Sequence, residues 1–282
     1  MCKVSTCMST WESVLGRMKN APVYFALAQV RFNNLWALDT YAPGIQESFR
    51  KVGFPDAQKG VVSTFNLSPA NMPSAGGELV PQQIPVVQAT QHRFANMEKS
   101  EGFYLDQSSM SFQTTYYEDF EKFSKTFLKG LQIVSEAVGG LSYIERIGMR
   151  YLDAIFPKEG ESLIDYLEAS LLGLSDRLEG VTQYSFSETY TKTETANLLS
   201  RSIVEHGPVG LPPDLQPMFL TLQDRFSQLP AAKHATIDTD ASVERRQSFD
   251  LAVVSKTLDA IHTEASNSFK ASVTDFARKT WG

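Results

Sequence analysis

The sequence predicts an α+β fold in which two units share one curved, mostly antiparallel sheet, with long helices packed on one face. The first observation is the order strand, helix, three strands, helix, which repeats after Gly139-Gly140. The second is that each unit ends in a long helix with a single apolar stripe. The third is the composition, since 42% apolar and 21% charged residues in a chain of 282 are ordinary for a globular protein.

Residues 1–20 are predicted to form an N-terminal helical extension, because Ser9 and Glu12 make a capping box ahead of an apolar face. The first α+β unit then occupies residues 21–140. Its strands are predicted where apolar or alternating residues run without a break, at 22–32, 61–67, 90–98 and 102–116.

Two helices complete the first unit. One is expected within residues 38–55, which close on a Gly-Phe-Pro stop. The other is expected to start at a capping box of Thr115 and Glu118 and to end at Gly139-Gly140. Residues 68–85 are rich in Pro, Gly, Asn and Gln, and this composition predicts a surface loop.

The second unit occupies residues 141–282, and the short spacer before it predicts that the two units form one rigid body. The same patterns predict its strands at 142–156, 181–192, 196–206 and 234–241. Helices are expected at 161–172, 218–228 and 249–271, and Thr274 is expected to cap a last turn that ends at Trp281.

Charge and cysteine content exclude some classes of function. The net charge of −6 and the lack of a Lys/Arg-rich run argue against nucleic-acid binding. The two cysteines, Cys2 and Cys7, lie together near the start, so the fold does not depend on an oxidising compartment. No apolar run reaches the roughly 20 residues that span a bilayer, and polar residues interrupt any signal peptide. We therefore expect a cytoplasmic protein without membrane contact.

The stretch "IERIGMRYLDAIFP" at 144–157 contains the first candidate site. Arg146 and Arg150 share one face of a predicted strand, and Gly148 leaves a gap between them. Two guanidinium groups beside such a gap could bind a phosphate or carboxylate. Alternatively they pair with acids on neighbouring strands, such as Glu188, Asp238 or Asp240.

Asp238, Asp240 and His262 are weaker candidates for a metal site. The two carboxylates share a strand face and could bind Mg²⁺ or Mn²⁺, as in metal-dependent hydrolases and nucleases. The alternatives are structural or surface charge for the carboxylates, and for His262 a packed helical residue with one hydrogen bond. The chain contains no HExxH, GxSxG, GxxxxGK[ST] or GxGxxG motif, so we predict neither a catalytic residue nor a cofactor.

Several segments resemble an uncharacterised, sporadically distributed bacterial protein family: "NAPVYFALAQVRF", "FQTTYYEDFEKF", "RIGMRYLD", "IDTDA", "LDAIHTEASNSF" and "VTDFARKTWG". The resemblance covers both ends and the centre of the chain. It implies a single module found in bacteria and their mobile elements, and a role in a defence or toxin–antitoxin locus would fit that distribution. It assigns no catalytic residue.

Three functional hypotheses follow. The first is a non-catalytic binding protein that recognises another protein encoded nearby, since long Pro-rich loops can present a variable surface. The second is a sensor of a small molecule or anion that uses a groove near Arg146 and Arg150. The third is a metal-dependent hydrolase or nuclease built on Asp238, Asp240 and His262.

Overall fold

A computed structural model describes residues 20–65, 86–215 and 219–282, and it is a mixed α/β structure. Within these ranges there are nine strands and six α-helices. The strands are β1 (Val23–Phe32), β2 (Asp56–Phe65), β3 (Val86–Ala95), β4 (Glu101–Leu105), β5 (Ser109–Thr114), β6 (Tyr143–Ile155), β7 (Tyr184–Lys192), β8 (Asn197–Gly207) and β9 (Ala232–Ser248). The helices are α1 (Leu38–Lys51), α2 (Phe120–Ala137), α3 (Leu163–Tyr166), α4 (Asp224–Ser227), α5 (Leu251–Ser272) and α6 (Asp275–Trp281).

All nine strands form one sheet in the order β2-β3-β4-β5-β1-β6-β9-β8-β7, and every neighbouring pair is antiparallel. The two strands that open the predicted units, β1 and β6, lie side by side in the middle of the sheet. Each is followed by a connection to one outer edge, from which the chain returns strand by strand to the centre. Strands of both predicted units therefore share one sheet.

The long helices α1, α2 and α5 pack on one face of the sheet, because each presents an apolar stripe toward it. α2 contacts both α1 and α5, so the three form a layer. On α2 the buried stripe includes Phe123, Phe127, Leu131 and Val134, as its 3-4 spacing predicts. We call this side of the sheet the helix face.

The opposite side, which we call the polar face, is partly covered by residues 208–215 and 219–229, which we call the covering segment. Val209, Leu211 and Phe226 of this segment pack on Tyr24 and Leu152 of the central strands. The Tyr24 hydroxyl donates a hydrogen bond to the Gly210 carbonyl at 2.8 Å, which helps to hold the segment on the sheet.

The predicted strand at 102–116 is wrong as a single strand, because it is the hairpin of β4 and β5. Asp106 produces the turn: its carboxylate accepts hydrogen bonds from the backbone N–H groups of Ser108 and Ser109, each at 2.8 Å. Such Asx turns reverse a chain without glycine. The first predicted unit therefore has four strands after α1, where three were expected.

Two helix predictions also need correction. α2 begins after Asp119, which accepts a hydrogen bond from Lys122 N, and not at Thr115. The Thr115 hydroxyl instead donates to the carbonyl of Thr221 at 2.7 Å and joins β5 to the covering segment. The helix expected at 161–172 ends after one turn, because Leu167 is extended and forms a β-bridge with Val273.

The helix expected at 218–228 is reduced to the single turn α4, Asp224–Ser227. The predicted extension at residues 1–20 lies outside the described residues except for residue 20, and the predicted loop at 68–85 lies wholly outside them. None of the helices in the described ranges is both long enough and apolar enough to cross a membrane.

Candidate functional site

Alternation along β6 divides the candidate residues between the two faces of the sheet. Arg146, Gly148 and Arg150 lie on the polar face, and Tyr151 and Asp153 lie on the helix face. The residues of the neighbouring strand β9 alternate in the same way, with Asp238 and Asp240 on the polar face and Thr239 on the helix face.

Arg150 is buried in a cluster of charges on the polar face. Its guanidinium donates to both carboxylate oxygens of Asp238, at 2.7 and 2.8 Å, and to Asp214 of the covering segment. Arg201 donates to the same Asp238 at 3.1 Å and to Glu188 at 2.8 Å. Burial on its own would lower the pKa of Arg150, but the bonds to Asp238 and Asp214 raise it above its ordinary value. The cluster joins the covering segment to the sheet through Asp214.

Arg146 fills the gap that the sequence places at Gly148. A Cβ atom added to Gly148 would lie 2.6 Å from Nη1 of Arg146, so the guanidinium rests directly on the glycine. Arg146 also donates to Gln29 at 3.2 Å and lies 3.6 Å from Asp240 and 3.7 Å from Glu244. The alternative that the arginines pair with acids on neighbouring strands is confirmed for Asp238 and Asp240, whereas Glu188 pairs with Arg201. An anion site at Arg146, Gly148 and Arg150 stays a prediction.

The metal candidates lie on opposite faces of the sheet. Asp238 and Asp240 face the arginines, whereas His262 of α5 lies on the helix face beside Thr239. Within the described part of the chain, no three His, Cys, Asp or Glu side chains are placed to hold a metal ion. The hypothesis of a metal site at these three residues therefore has no converging ligand set.

A cavity of about 200 Å³ lies on the helix face, between α5 and the strands β6 and β9. Apolar and aromatic side chains form most of its wall, and a few polar groups face into it. Its lining is Val23, Tyr117, Tyr151, Asp153, Thr239, His262, Ala265, Ser266, Phe269 and Lys270.

Two buried polar groups in this wall have no hydrogen-bond partner within the described part of the chain. Asp153 is 6% exposed, and its carboxyl group makes no hydrogen bond or ion pair with any described residue. The Thr239 hydroxyl, in a side chain that is 1% exposed, also lacks a hydrogen-bond partner among those residues. Burial, and then the negative charge of Asp238, raise the pKa of Asp153 to about 8. Near neutral pH this carboxyl group is therefore mostly protonated.

A chain of hydrogen bonds lies beside the acid. The Tyr117 and Tyr151 hydroxyls are 3.3 Å apart, and the Tyr151 hydroxyl is 3.0 Å from Nδ1 of His262. The imidazole stacks on Phe120 with the ring centres 4.0 Å apart. Burial, and then the charge of Lys270, lower the pKa of His262 to about 4, so the ring is neutral at pH 7. His262 is thus a packed residue with one hydrogen bond, as one of the two sequence alternatives predicts.

The sequence reasoning missed Asp153 and Thr239, although a signal was present. In "RIGMRYLDAI" the core-facing positions are Ile147, Met149, Tyr151, Asp153 and Ile155, and the acid interrupts an otherwise apolar row. A carboxylate on the buried face of a central strand needs either a partner or a function.

Comparison of the chain with protein-family models finds no match, and searches of curated proteins and of solved structures find none either. The resemblance to a bacterial family that the sequence segments indicate therefore stays a prediction.

Proposed function

We propose that the protein binds a small molecule in the cavity between α5 and the sheet. The observation that carries this proposal is that Asp153 and Thr239 line an apolar cavity, are more than nine-tenths buried and have no partner among the described residues. Such groups are where a ligand supplies the missing hydrogen bonds. The proposal shares with the sensor hypothesis of the sequence analysis only the binding of a small molecule, since that hypothesis places the site near Arg146 and Arg150, which do not line this cavity.

The free-energy cost of burying these two polar groups without hydrogen bonds supports a role in ligand binding. Leaving a buried polar group without a hydrogen bond costs about 1–3 kcal/mol. Replacing Asp153 by an apolar residue would remove that cost and place an apolar side chain between Tyr151, which packs against one core cluster, and Ile155, which belongs to another. Binding sites keep such groups because they position a ligand, at the expense of stability.

Thermal unfolding of the full chain tests the proposal. Wild type, Asp153→Leu and Arg146→Ala are heated with a set of cationic, neutral and anionic molecules small enough for the cavity. At a hundredfold excess over the dissociation constant, a ligand stabilises the folded state by about 2.7 kcal/mol. We expect a Tm increase in wild type and in Arg146→Ala but not in Asp153→Leu.

Two results would contradict this expectation. If no compound raises the Tm of wild type, the cavity is not a binding site. If the increase is lost in Arg146→Ala and kept in Asp153→Leu, the ligand binds on the polar face and the site predicted from the sequence is the correct one.

A second candidate function, recognition of another protein, is favoured by the edge strand β7. Among the described strands, this one pairs only with β8 and is the last of the sheet. Its aromatic side chains are exposed, by 63% for Tyr184, 47% for Phe186 and 64% for Tyr190. Free edge strands with exposed apolar side chains accept an added strand from a partner.

A photoreactive amino acid at position 186 tests this second candidate, with position 253 on α5 as the matched exposed control. We expect a discrete cross-linked product in cells from position 186 and none from position 253. Its mass distinguishes a second copy of the chain from a different protein. Equal labelling from both positions would mean that β7 is not a specific interface.

A further inference from the structure

The charges around Asp153 indicate which chemical class of ligand the cavity favours, an inference that rests on the function proposed above. No cationic side chain of the described residues pairs with Asp153, and the charge that shifts its pKa is the negative one of Asp238 on the other face. A negative charge at Asp153 therefore has no counterion within the described part of the protein. An ammonium group of a ligand would supply one.

The titratable groups that face Asp153 do not provide this counterion themselves. Tyr151 on β6 and Tyr117 before α2 are hydroxyls whose pKa values are raised by burial. His262 on α5 is neutral, and Lys270, about two turns further along the helix, lines the cavity without an ion pair to Asp153. β1 contributes only the apolar Val23.

The rest of the wall suits the apolar body of such a ligand. Val23, Ala265 and Phe269 give it an apolar surface, and the Tyr117 and Tyr151 rings offer faces that attract a cation. An apolar cavity of about 150 Å³ holds benzene in other proteins. A volume of about 200 Å³ therefore has room for one ring and a short aminoalkyl group.

We propose that the cavity binds a small primary amine that carries one ring or a branched chain of similar size. The ammonium group of this ligand pairs with Asp153 and donates a hydrogen bond to Thr239. Lys270 in the wall repels a second cationic group, so the preference is for monoamines over diamines. When the ammonium binds, the Asp153 carboxyl group ionises and its proton passes to the solvent. Binding is therefore accompanied by the release of one proton.

Isothermal titration of the full chain with benzylamine, benzyl alcohol and benzoate tests the proposal, because the three probes share a ring and differ in charge. We expect benzylamine to bind at least about tenfold more tightly than benzyl alcohol, and benzoate most weakly. Titrations at pH 6 in two buffers of different ionisation enthalpy measure the protons exchanged. We expect close to one proton released with benzylamine and none with benzyl alcohol.

Asp153→Asn is the matched variant, because it keeps the shape of the side chain and removes the charge. It should weaken benzylamine at least about tenfold and leave benzyl alcohol within about threefold. If benzyl alcohol or benzoate binds as tightly as benzylamine, or if wild type releases no proton, the cavity is a ligand site but not an amine site. If none of the three binds, the amine proposal is overturned. The proposed function itself fails only if the wider set of small molecules fails too.

Discussion

The two faces of the sheet differ in whether their buried ionisable side chains have partners. On the polar face Arg150 and Asp238 are both buried, and each charge is matched by a partner in good geometry. On the helix face Asp153 is buried to a similar degree, and no partner is present among the described residues. The two acids lie on neighbouring strands, since Leu152 pairs with Asp238 and Asp153 pairs with Ile237. Burial alone therefore does not distinguish a structural acid from a candidate binding acid, whereas hydrogen bonding does.

The largest change in stability that we expect comes from removing the buried charge pair on the polar face. Arg150→Ala should lower the free energy of unfolding by about 3–5 kcal/mol, because it leaves Asp238 charged, buried and held by Arg201 alone. Urea unfolding measures this loss. In the double variant with Asp238→Ala the loss should be smaller than the sum of the two single losses. Additive losses would show that the pair is not an energetic unit.

The second prediction concerns the unpaired face and its pH dependence. The pKa of Asp153 is raised from an ordinary 3.8 to about 8, so the contribution of this group to stability is fully present below pH 4 and is lost as the pH rises from 4 through 8. Asp153→Leu removes this loss. Its advantage in free energy of unfolding over wild type should therefore grow by about 1 kcal/mol per pH unit between pH 5 and 8.

The titration of His262 does not affect this comparison. Its pKa is lowered from 6.5 to about 4, so its contribution to stability is present above pH 6.5 and is lost as the pH falls toward 4, in wild type and Asp153→Leu alike. Asp153→Asn is the control that also cannot ionise, and its difference from wild type should show the same slope. A difference that does not change with pH would mean that Asp153 is ionised in the folded protein and has a partner.

The third prediction tests the hydrogen-bond chain in the cavity wall. Tyr151→Phe should lower the free energy of unfolding by about 1–2 kcal/mol, because Nδ1 of His262 loses its partner in a buried position. Tyr190→Phe, on the exposed edge strand, should change it by less than about 0.5 kcal/mol. If the two variants are equally stable, water reaches the imidazole and the wall is less enclosed than its contacts indicate.

The sequence predicts the alternation of strands and helices well because each pattern is local. The stripe of α2 and the apolar run of β1 need no distant partner to be recognised. The errors occur where a contact between residues far apart in the sequence determines the local structure. An example is Leu167, whose β-bridge to Val273 ends the expected helix. The same limit applies to the site, since the partners of Arg150 come from β9 and from Asp214, which is 64 residues further along the chain.

The smallest expected effect separates two arginines that look equivalent in the sequence. Arg146 is half-buried and lies 3.6–3.7 Å from its acidic partners, beyond the distance of a good hydrogen bond, so Arg146→Ala should cost less than about 1 kcal/mol. Raising the salt concentration should shrink that cost further, while the cost of Arg150→Ala stays nearly constant because burial protects its pair from screening. Urea unfolding of both variants at low and high salt measures the contrast. Equal costs with equal salt dependence would mean that the position of an arginine on the polar face matters more than its burial and partners.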